Sequence, residues 1–209
     1  QSTNSTHSKM KRFGGEKLGK KPNITVLGSS KVGNFIITVP LLYGLRKKYP
    51  DAIIDFWGSE VTKDFEEALI RGTPSNDFQP TISWRASWDI VCENKLQYIA
   101  DIAKPRPKPD LLINCDGFNP FTQTLSSLLN PLYVAGGALR PDGRDLLQWG
   151  DQEEQYILKE NDWDSPEFLG RHKNILSSQY IAEILCRNVY LSTSYDDIVQ
   201  IEIPRIIPN

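Results

Sequence analysis

The stretch NITVLGSSKVGNFIITVPLLYGLRKKYPD, residues 23–51, decides the fold class of this chain. It opens with an apolar strand from Ile24 to Leu27 and continues through a loop of small residues up to Asn34. A helix is predicted over residues 33–48, where apolar residues recur at helical spacing: Phe35, Ile36, Val39, Leu42 and Leu45. A strand, a glycine loop and a helix in this order are typical of α/β folds, which bind ligands at the carboxyl edge of a parallel sheet. The N–H groups and positive dipole end of the helix favour an anionic ligand.

The rest of the 209 residues alternates strand patterns with helical ones. This alternation predicts an α/β, Rossmann-like fold with a mostly parallel sheet and helices on both faces. Pro40 predicts a kink, or a short first segment, in the first helix. Further strands are predicted at residues 52–57, 81–84, 110–116, 132–135 and 198–203, and further helices at 61–70, 88–103, 121–129 and 174–187.

Charge divides the chain into a basic start and an acidic body. Residues 1–22 hold six basic side chains and one acidic one, which leaves residues 23–209 with a net charge of −7. We expect a disordered, solvated tail over 1–22, although its charge could also bind an anionic membrane surface or a polyanion. The acidic body argues against nucleic acid as a partner. No run of 18 apolar residues is present, so no membrane span is predicted.

Residues 23–203 are predicted to form one domain. Within it, residues 136–172 are polar and poorly periodic, which indicates a loop-rich insertion of the kind that is more often functional or partner-facing than idle. The apolar run from Asp110 to Asp116 is typical of a buried central strand, and its end at Asp116 would face the ligand edge.

The motifs of nucleotide and metal enzymes are incomplete in this sequence. Gly28 and Gly33 have the glycine spacing of a P-loop, but Asn34-Phe35 replace the Lys and Ser/Thr that the motif requires. Asp162-Trp163-Asp164 matches the short DxD pattern of metal-dependent glycosyltransferases, and in so acidic a loop we read it as a solvated turn. No histidine set for catalysis and no metal-ligand spacing can be assembled, so neither a metal nor a cofactor is predicted.

Cysteines and tryptophans give weaker indications. The three cysteines are far apart in apolar elements, which favours buried thiols in a reducing compartment: Cys92, Cys115 and Cys186. Five tryptophans could stack on a sugar ring: Trp57, Trp84, Trp88, Trp149 and Trp163. Trp57 and Trp84 lie near the ends of predicted strands, where stacking is plausible. Packing in the core is the stronger expectation for any one of them.

Two segments resemble glycosyltransferase family 9, the heptosyltransferase-like enzymes. The family opens with an apolar strand, a Ser-Ser-x-Gly-Asp loop, a Thr-x-Pro-Leu-Leu helix and a basic end before Tyr-Pro-Asp. The matching residues here are Ser29-Ser30, Gly33-Asn34, Thr38-Val39-Pro40-Leu41-Leu42 and Arg46 to Asp51. Further on, Pro109 to Asp116 is similar to the family's Asp-apolar-apolar-Ile-Asn strand. The resemblance covers about 30 residues well and extends to residue 135.

The resemblance implies the acceptor-side half of a two-domain GT-B enzyme that inverts the anomeric centre without a metal. A nucleotide-sugar donor would bind to a C-terminal domain outside this chain, and residues 204–209 resemble the start of the linker to it. The acceptor would be a glycan or a lipopolysaccharide-type glycolipid, and the location would be cytoplasmic, at most peripheral to the inner membrane face. The residues expected to line the acceptor cleft are Ser29, Ser30, Lys31, Gly33 and Asn34, with Lys31 contacting a phosphate or carboxylate.

Asn34 departs from the family pattern, because the family has its general-base aspartate at this position. An amide cannot accept a proton at useful pH, so Asp116 is the candidate substitute base and Asn34 would orient the acceptor or cap the helix. Two other functions stay open. One is a catalytically inactive binding or scaffold domain, and the other is a standalone Rossmann-like nucleotide-binding protein.

Overall fold

The computed structural model describes residues 10–29, 31–59, 61–71, 81–85, 100–101 and 103–201. Six strands within these residues form one sheet in the order β1-β6-β5-β2-β3-β4, and every neighbouring pair is parallel. The predicted α/β fold with a parallel sheet is therefore confirmed. The strands are β1 (Lys11–Arg12), β2 (Asn23–Leu27), β3 (Ile53–Gly58), β4 (Thr81–Arg85), β5 (Leu111–Asn114) and β6 (Tyr133–Gly136).

Helices follow most of the strands. They are α1 (Val32–Lys48), α2 (Lys63–Arg71), α3 (Pro120–Leu129), α4 (Glu153–Tyr156), α5 (Pro166–His172), α6 (Ile181–Asn188) and α7 (Tyr195–Ile198), with a 3₁₀ turn at Ile157–Lys159. Within the described residues, none of these helices combines the length and apolar character needed to cross a bilayer. The predicted helix at 88–103 falls largely outside the described residues.

Both faces of the sheet are covered, because alternate residues of each central strand enter different hydrophobic clusters. On one face, Val26 and Ile113 pack with side chains of α1 and α6. On the other face, Leu27 and Leu112 pack with Leu125 of α3. All four residues of β5 are buried, as the continuous apolar run predicts for a central parallel strand.

The order of the strands reverses between β2 and β5. From β2 the chain moves outward to β3 and then to β4, after which it returns to pair β5 with the other side of β2. Ile24 pairs with Leu111 and Leu27 with Asn114, so β2 and β5 end at the same height. In open α/β sheets such a reversal leaves a crevice outside the carboxyl ends of the two strands, where ligands bind.

Helix α1 runs through Pro40 as one helix of 17 residues, so the predicted short first segment is not observed. Proline removes one backbone donor, which would weaken an isolated helix at this point. Here Val39 and Leu41 are fully buried, and α1 packs against both the sheet and α6. Burial on both sides stabilises the helix across the missing hydrogen bond.

The expected disorder over residues 1–22 is wrong from residue 10 onward. The main-chain N–H groups of Lys11 and Phe13 donate to the carbonyls of Leu132 and Val134, at 3.0 and 2.8 Å, and thereby add β1 to the edge of the sheet. The Phe13 side chain is 1% exposed. The prediction of disorder rested on the basic charge of the segment and overlooked three apolar side chains that are buried in the core: Met10, Phe13 and Leu18.

Two predictions near the C-terminus are also wrong. The helix predicted at 174–187 begins only at Ile181, because the buried Glu183 carboxylate accepts hydrogen bonds from Ser177 and Ser178 and holds that stretch out of the helix. Residues 198–201 do not form the predicted closing strand. Ser194 and Asp197 instead form a capping box that begins α7, and Ile198 ends it.

Candidate ligand-binding site

A cavity of about 180 Å³ opens at the reversal of strand order. Ser29, which follows β2, and Asp116, which follows β5, lie on its wall. Side chains of α1 and α6 form its sides, and the segment 149–163 closes it. The cavity therefore occupies the crevice that the strand order predicts for a ligand in this class of fold.

Ser29 and Asn34 form the polar side of the cavity next to β2. The Asn34 Nδ2 group donates to Ser29 Oγ at 2.9 Å, and the main-chain N–H of Lys31 donates to the same oxygen at 3.4 Å. The amide nitrogen of Asn34, and not its amide oxygen, therefore contacts Ser29. Lys31, and not Asn34, occupies the N-cap position of α1, so the suggested capping role of Asn34 is not observed.

Asp116 forms the polar side next to β5. Its Oδ2 atom accepts a hydrogen bond from Asn119 Nδ2 at 3.1 Å, and its main-chain N–H donates to Asn114 Oδ1 at 3.1 Å. From the described residues, Oδ1 of Asp116 accepts no hydrogen bond. Asn114 is fully buried and donates through Nδ2 to the carbonyl of Gly137 at 2.6 Å, which ties this loop to the one after β6.

Two glycines permit the close packing beneath the site. A Cβ atom on Gly28 would lie 2.5 Å from Cζ of Phe56. Gly136 has a φ of +84°, and a Cβ atom there would lie 2.4 Å from the carbonyl oxygen of Asn114. Both positions therefore exclude larger residues, because a side chain would collide with the core or with the neighbouring loop.

Apolar and aromatic side chains form the rest of the wall. Trp149 and Trp163 come from the predicted insertion, and Phe118 is 61% exposed in the loop after β5. Leu158, Ile181 and Leu185 complete this side.

Arg12 holds Trp149 in place. Its guanidinium carbon lies 4.7 Å from the centre of the Trp149 ring. The guanidinium also donates to the carbonyls of Gly136, Leu147 and Gln148. Burial lowers the pKa of Arg12 to about 10. A side chain expected in a disordered tail thus positions one wall of the cavity.

Of the two tryptophans near the ends of predicted strands, Trp57 does not form this wall. Trp57 is fully buried, donates from Nε1 to Asp55 at 3.2 Å and has Arg106 over its ring, so it packs in the core. The side chain of Trp84 lies outside the described residues. Trp149 and Trp163, which the sequence also offers for stacking, do line the cavity. Their position in a polar, poorly periodic segment favours a contact surface, because a large apolar side chain is unusual there.

The structure brings only part of the predicted site together. Ser29, Asn34 and Asp116 share the cavity, whereas Lys31 is exposed and neither it nor Gly33 lies on the wall. Ser30 falls outside the described residues. The predicted cation at the acceptor cleft is therefore not on the cavity wall.

The carboxylate of Asp162, in the DxD pattern, is hydrogen-bonded to other side chains of the protein. Its carboxylate accepts from Arg171 at 2.7 Å and from Ser165 at 3.1 Å. In the described part of the chain, no group of three or more His, Cys, Asp and Glu side chains could hold a metal ion.

A buried histidine braces the segment that closes the cavity. His172 is 1% exposed, and its Nδ1 and Nε2 atoms lie 3.1 and 2.6 Å from carboxylate oxygens of Glu153 and Glu160. Partial burial of Glu160 would raise the pKa of its carboxyl. Hydrogen bonds from His172 and Arg171 outweigh that effect and hold the pKa below its ordinary value.

Cys115 is the one thiol that the described cavity wall contains. Burial raises the pKa of this thiol far above its ordinary value. The group is therefore a neutral thiol, and it does not supply the thiolate that nucleophilic catalysis requires.

No protein-family model matches the chain, and no curated protein matches it. Among solved structures, a glycosyl transferase family 9 protein from Veillonella parvula DSM 2008 is similar to part of it. The TM-score is 0.36 and the sequence identity 20%, over 47% of this chain and 27% of that chain. A similarity of this size carries no information on ligand or reaction.

Proposed function

We propose that this chain is the acceptor-binding half of a glycosyltransferase resembling glycosyltransferase family 9. One observation carries the proposal. Asn34, in the first turn of α1, and Asp116, in the loop after β5, are 82 positions apart in sequence and line the same cavity at the reversal of strand order. The motif over residues 23–51 and the parallel sheet support the same function.

In the proposed reaction, a sugar hydroxyl of the acceptor attacks the anomeric carbon of a nucleotide-sugar held by a second domain. The C–O bond to the nucleotide diphosphate breaks as the new glycosidic bond forms, and a base takes the hydroxyl proton. Asp116 Oδ1 is the acceptor for that proton, because Asn34 has only an amide at the position of the family's base. The Asn34 amide oxygen would accept a hydrogen bond from a neighbouring hydroxyl and orient the ring.

The first test is the intact mass of the native gene product. A donor domain of similar size would bring it near twice the 23.7 kDa of this chain. The second test is release of nucleotide from nucleotide-sugar donors in the presence of glycan acceptors. We expect Asp116→Asn to lower kcat by about 10²–10⁴-fold with little change in KM, as loss of a general base does.

Asn34→Asp restores the family's residue and is the matched gain-of-function variant. We expect it to raise kcat, because a carboxylate would then stand where the family places its base. Full turnover in Asp116→Asn would exclude Asp116 as the base. No acceptor-dependent release by the native product with any donor would overturn the transferase proposal.

A binding domain without turnover is the second candidate function. The observation that favours it is the presence of asparagine at position 34. The amide nitrogen of Asn34 donates to Ser29, and the amide oxygen cannot remove a proton. Its signature is affinity for a glycan with no transfer in either the wild-type protein or Asn34→Asp. The nucleotide-binding alternative would need a larger site than this one, because sites for drug-sized ligands are usually about 300–1,000 Å³ and this cavity is about 180 Å³.

A further inference from the structure

We propose that the cavity binds one uncharged pyranose ring, so that the acceptor enters it with a neutral sugar and not with a phosphate or a carboxylate. The inference rests on the proposed function and names the substrate class of the same site. It reverses the expectation that Lys31 contacts an acidic group of the acceptor.

The volume of the cavity limits its occupant to one ring. An apolar protein cavity of about 150 Å³ holds benzene, which is a six-membered ring without substituents. The cavity here is about 180 Å³ and is not fully enclosed. One pyranose ring fits this space, and the next sugar of a glycan would lie outside it.

The charge of the wall disfavours an anion. Among the described residues, the wall includes no Lys, Arg or His side chain, and its one ionisable acid is Asp116. Lys31 lies off the wall, and the buried Arg12 is occupied by three carbonyls and the Trp149 ring. Among the side chains described on this wall, a carboxylate or phosphate would therefore meet the Asp116 carboxylate and no compensating cation.

The polar side of the wall offers acceptors for hydroxyl groups. Asp116 Oδ1 and the Asn34 amide oxygen can accept hydrogen bonds from a ligand, and Ser29 Oγ already accepts two from the protein. A ring that carries several hydroxyl donors can satisfy these oxygens. An uncharged aromatic or aliphatic ligand cannot, and would cover these acceptors without replacing the hydrogen bonds that water makes to them.

Indole rings and aliphatic side chains on the wall suit the C–H face of a sugar. Trp149 and Trp163 contribute the indole rings, and Leu158 and Ile181 contribute aliphatic side chains. A pyranose has hydroxyl groups around its edge and apolar C–H groups on its face, which matches a wall that combines hydrogen-bond acceptors with indole rings.

The experiment compares matched pairs of ligands on this chain. Methyl glucoside, methyl galactoside and methyl mannoside are titrated against the corresponding methyl uronides, which replace one hydroxymethyl group by a carboxylate. Binding is followed by NMR of the tryptophan indole signals. We expect at least one neutral glycoside to bind about tenfold or more tightly than its uronide. Equal or tighter binding of all three uronides, or binding of no glycoside at all, would overturn the inference.

Three variants identify the site. Trp163→Leu should weaken binding of the neutral glycoside about tenfold. Leu146→Ala, which removes an exposed apolar side chain elsewhere in the predicted insertion at 136–172, should leave it unchanged. Asp116→Asn keeps the shape of the wall and removes its charge. It should therefore tighten uronide binding and reduce the difference in affinity between the neutral glycoside and its uronide. An unchanged difference in Asp116→Asn would contradict the electrostatic basis of the inference, whether or not Trp163→Leu folds.

The two proposals fail in different ways. If a neutral glycoside binds but the native product releases no nucleotide, the proposed transferase function is refuted and the inference on the cavity is retained. If the protein transfers sugar to an acidic acceptor and this chain binds the uronide more tightly, the transferase function is supported and the inference is refuted.

Discussion

Phe13→Ala tests whether the N-terminal segment belongs to the fold. Phe13 is 1% exposed, and its ring packs edge-on against Tyr133 and Tyr190 with centroid distances of 5.9 and 5.8 Å. It also follows β1, whose pairing with β6 extends the sheet. Truncation of such a side chain removes its burial and leaves a cavity between two aromatic rings.

The expected loss follows from these contacts. Phe→Ala substitutions in cores cost about 3–5 kcal/mol of unfolding free energy, and each edge-on aromatic pair accounts for roughly 0.5–1.5 kcal/mol of such a total. For a domain of this size, 1 kcal/mol shifts the melting temperature by roughly 2–4 °C, so the variant should melt about 6–20 °C below the wild type.

Urea unfolding followed by far-UV circular dichroism measures the change. Lys11→Ala is the matched control, because Lys11 lies on the same strand with an exposed side chain and its main-chain hydrogen bond is retained. We expect the control to remain within about 0.5 kcal/mol of the wild type. A Phe13→Ala variant as stable as the control would refute the packing of residues 10–22 against the sheet.

Three further outcomes are expected. Gly28→Ala should destabilise the chain by about 1–3 kcal/mol, because its Cβ would lie 2.5 Å from Phe56, and equal melting temperatures would contradict that collision. The free energy of unfolding should fall as the pH drops below 4.5, the ordinary pKa of a glutamate carboxyl. The pKa of Glu160 is depressed in the folded protein, so the stability that its carboxylate contributes is lost as the carboxylate gains a proton. Glu160→Gln should flatten that part of the plot of stability against pH. Cys186, whose pKa burial raises to about 12, should resist iodoacetamide at pH 8 in the native state and react in urea, as mass spectrometry of its peptide would show.

Local periodicity predicted most of the framework. The strand, loop and helix of residues 23–51, the buried strand before Asp116 and the α/β order all lie where the pattern placed them. These features depend on neighbours within a few positions, which sequence spacing reports directly. The same reasoning failed at α6 and α7, because hydrogen bonds from Ser177 and Ser194 override helical and strand-like apolar spacing.

The sequence by itself determined the order of elements, the parallel sheet and the arrival of Ser29, Asn34 and Asp116 at its carboxyl edge. Parallel strands bring their ends to one edge whatever the surrounding loops do, so these positions follow from chain order. Only the tertiary structure decided what faces them. Arg12 reaches across more than a hundred residues of chain to hold Trp149, while Trp57 turns into the core. Such contacts leave no local pattern, because burial and long-range packing select the side chains that form a wall.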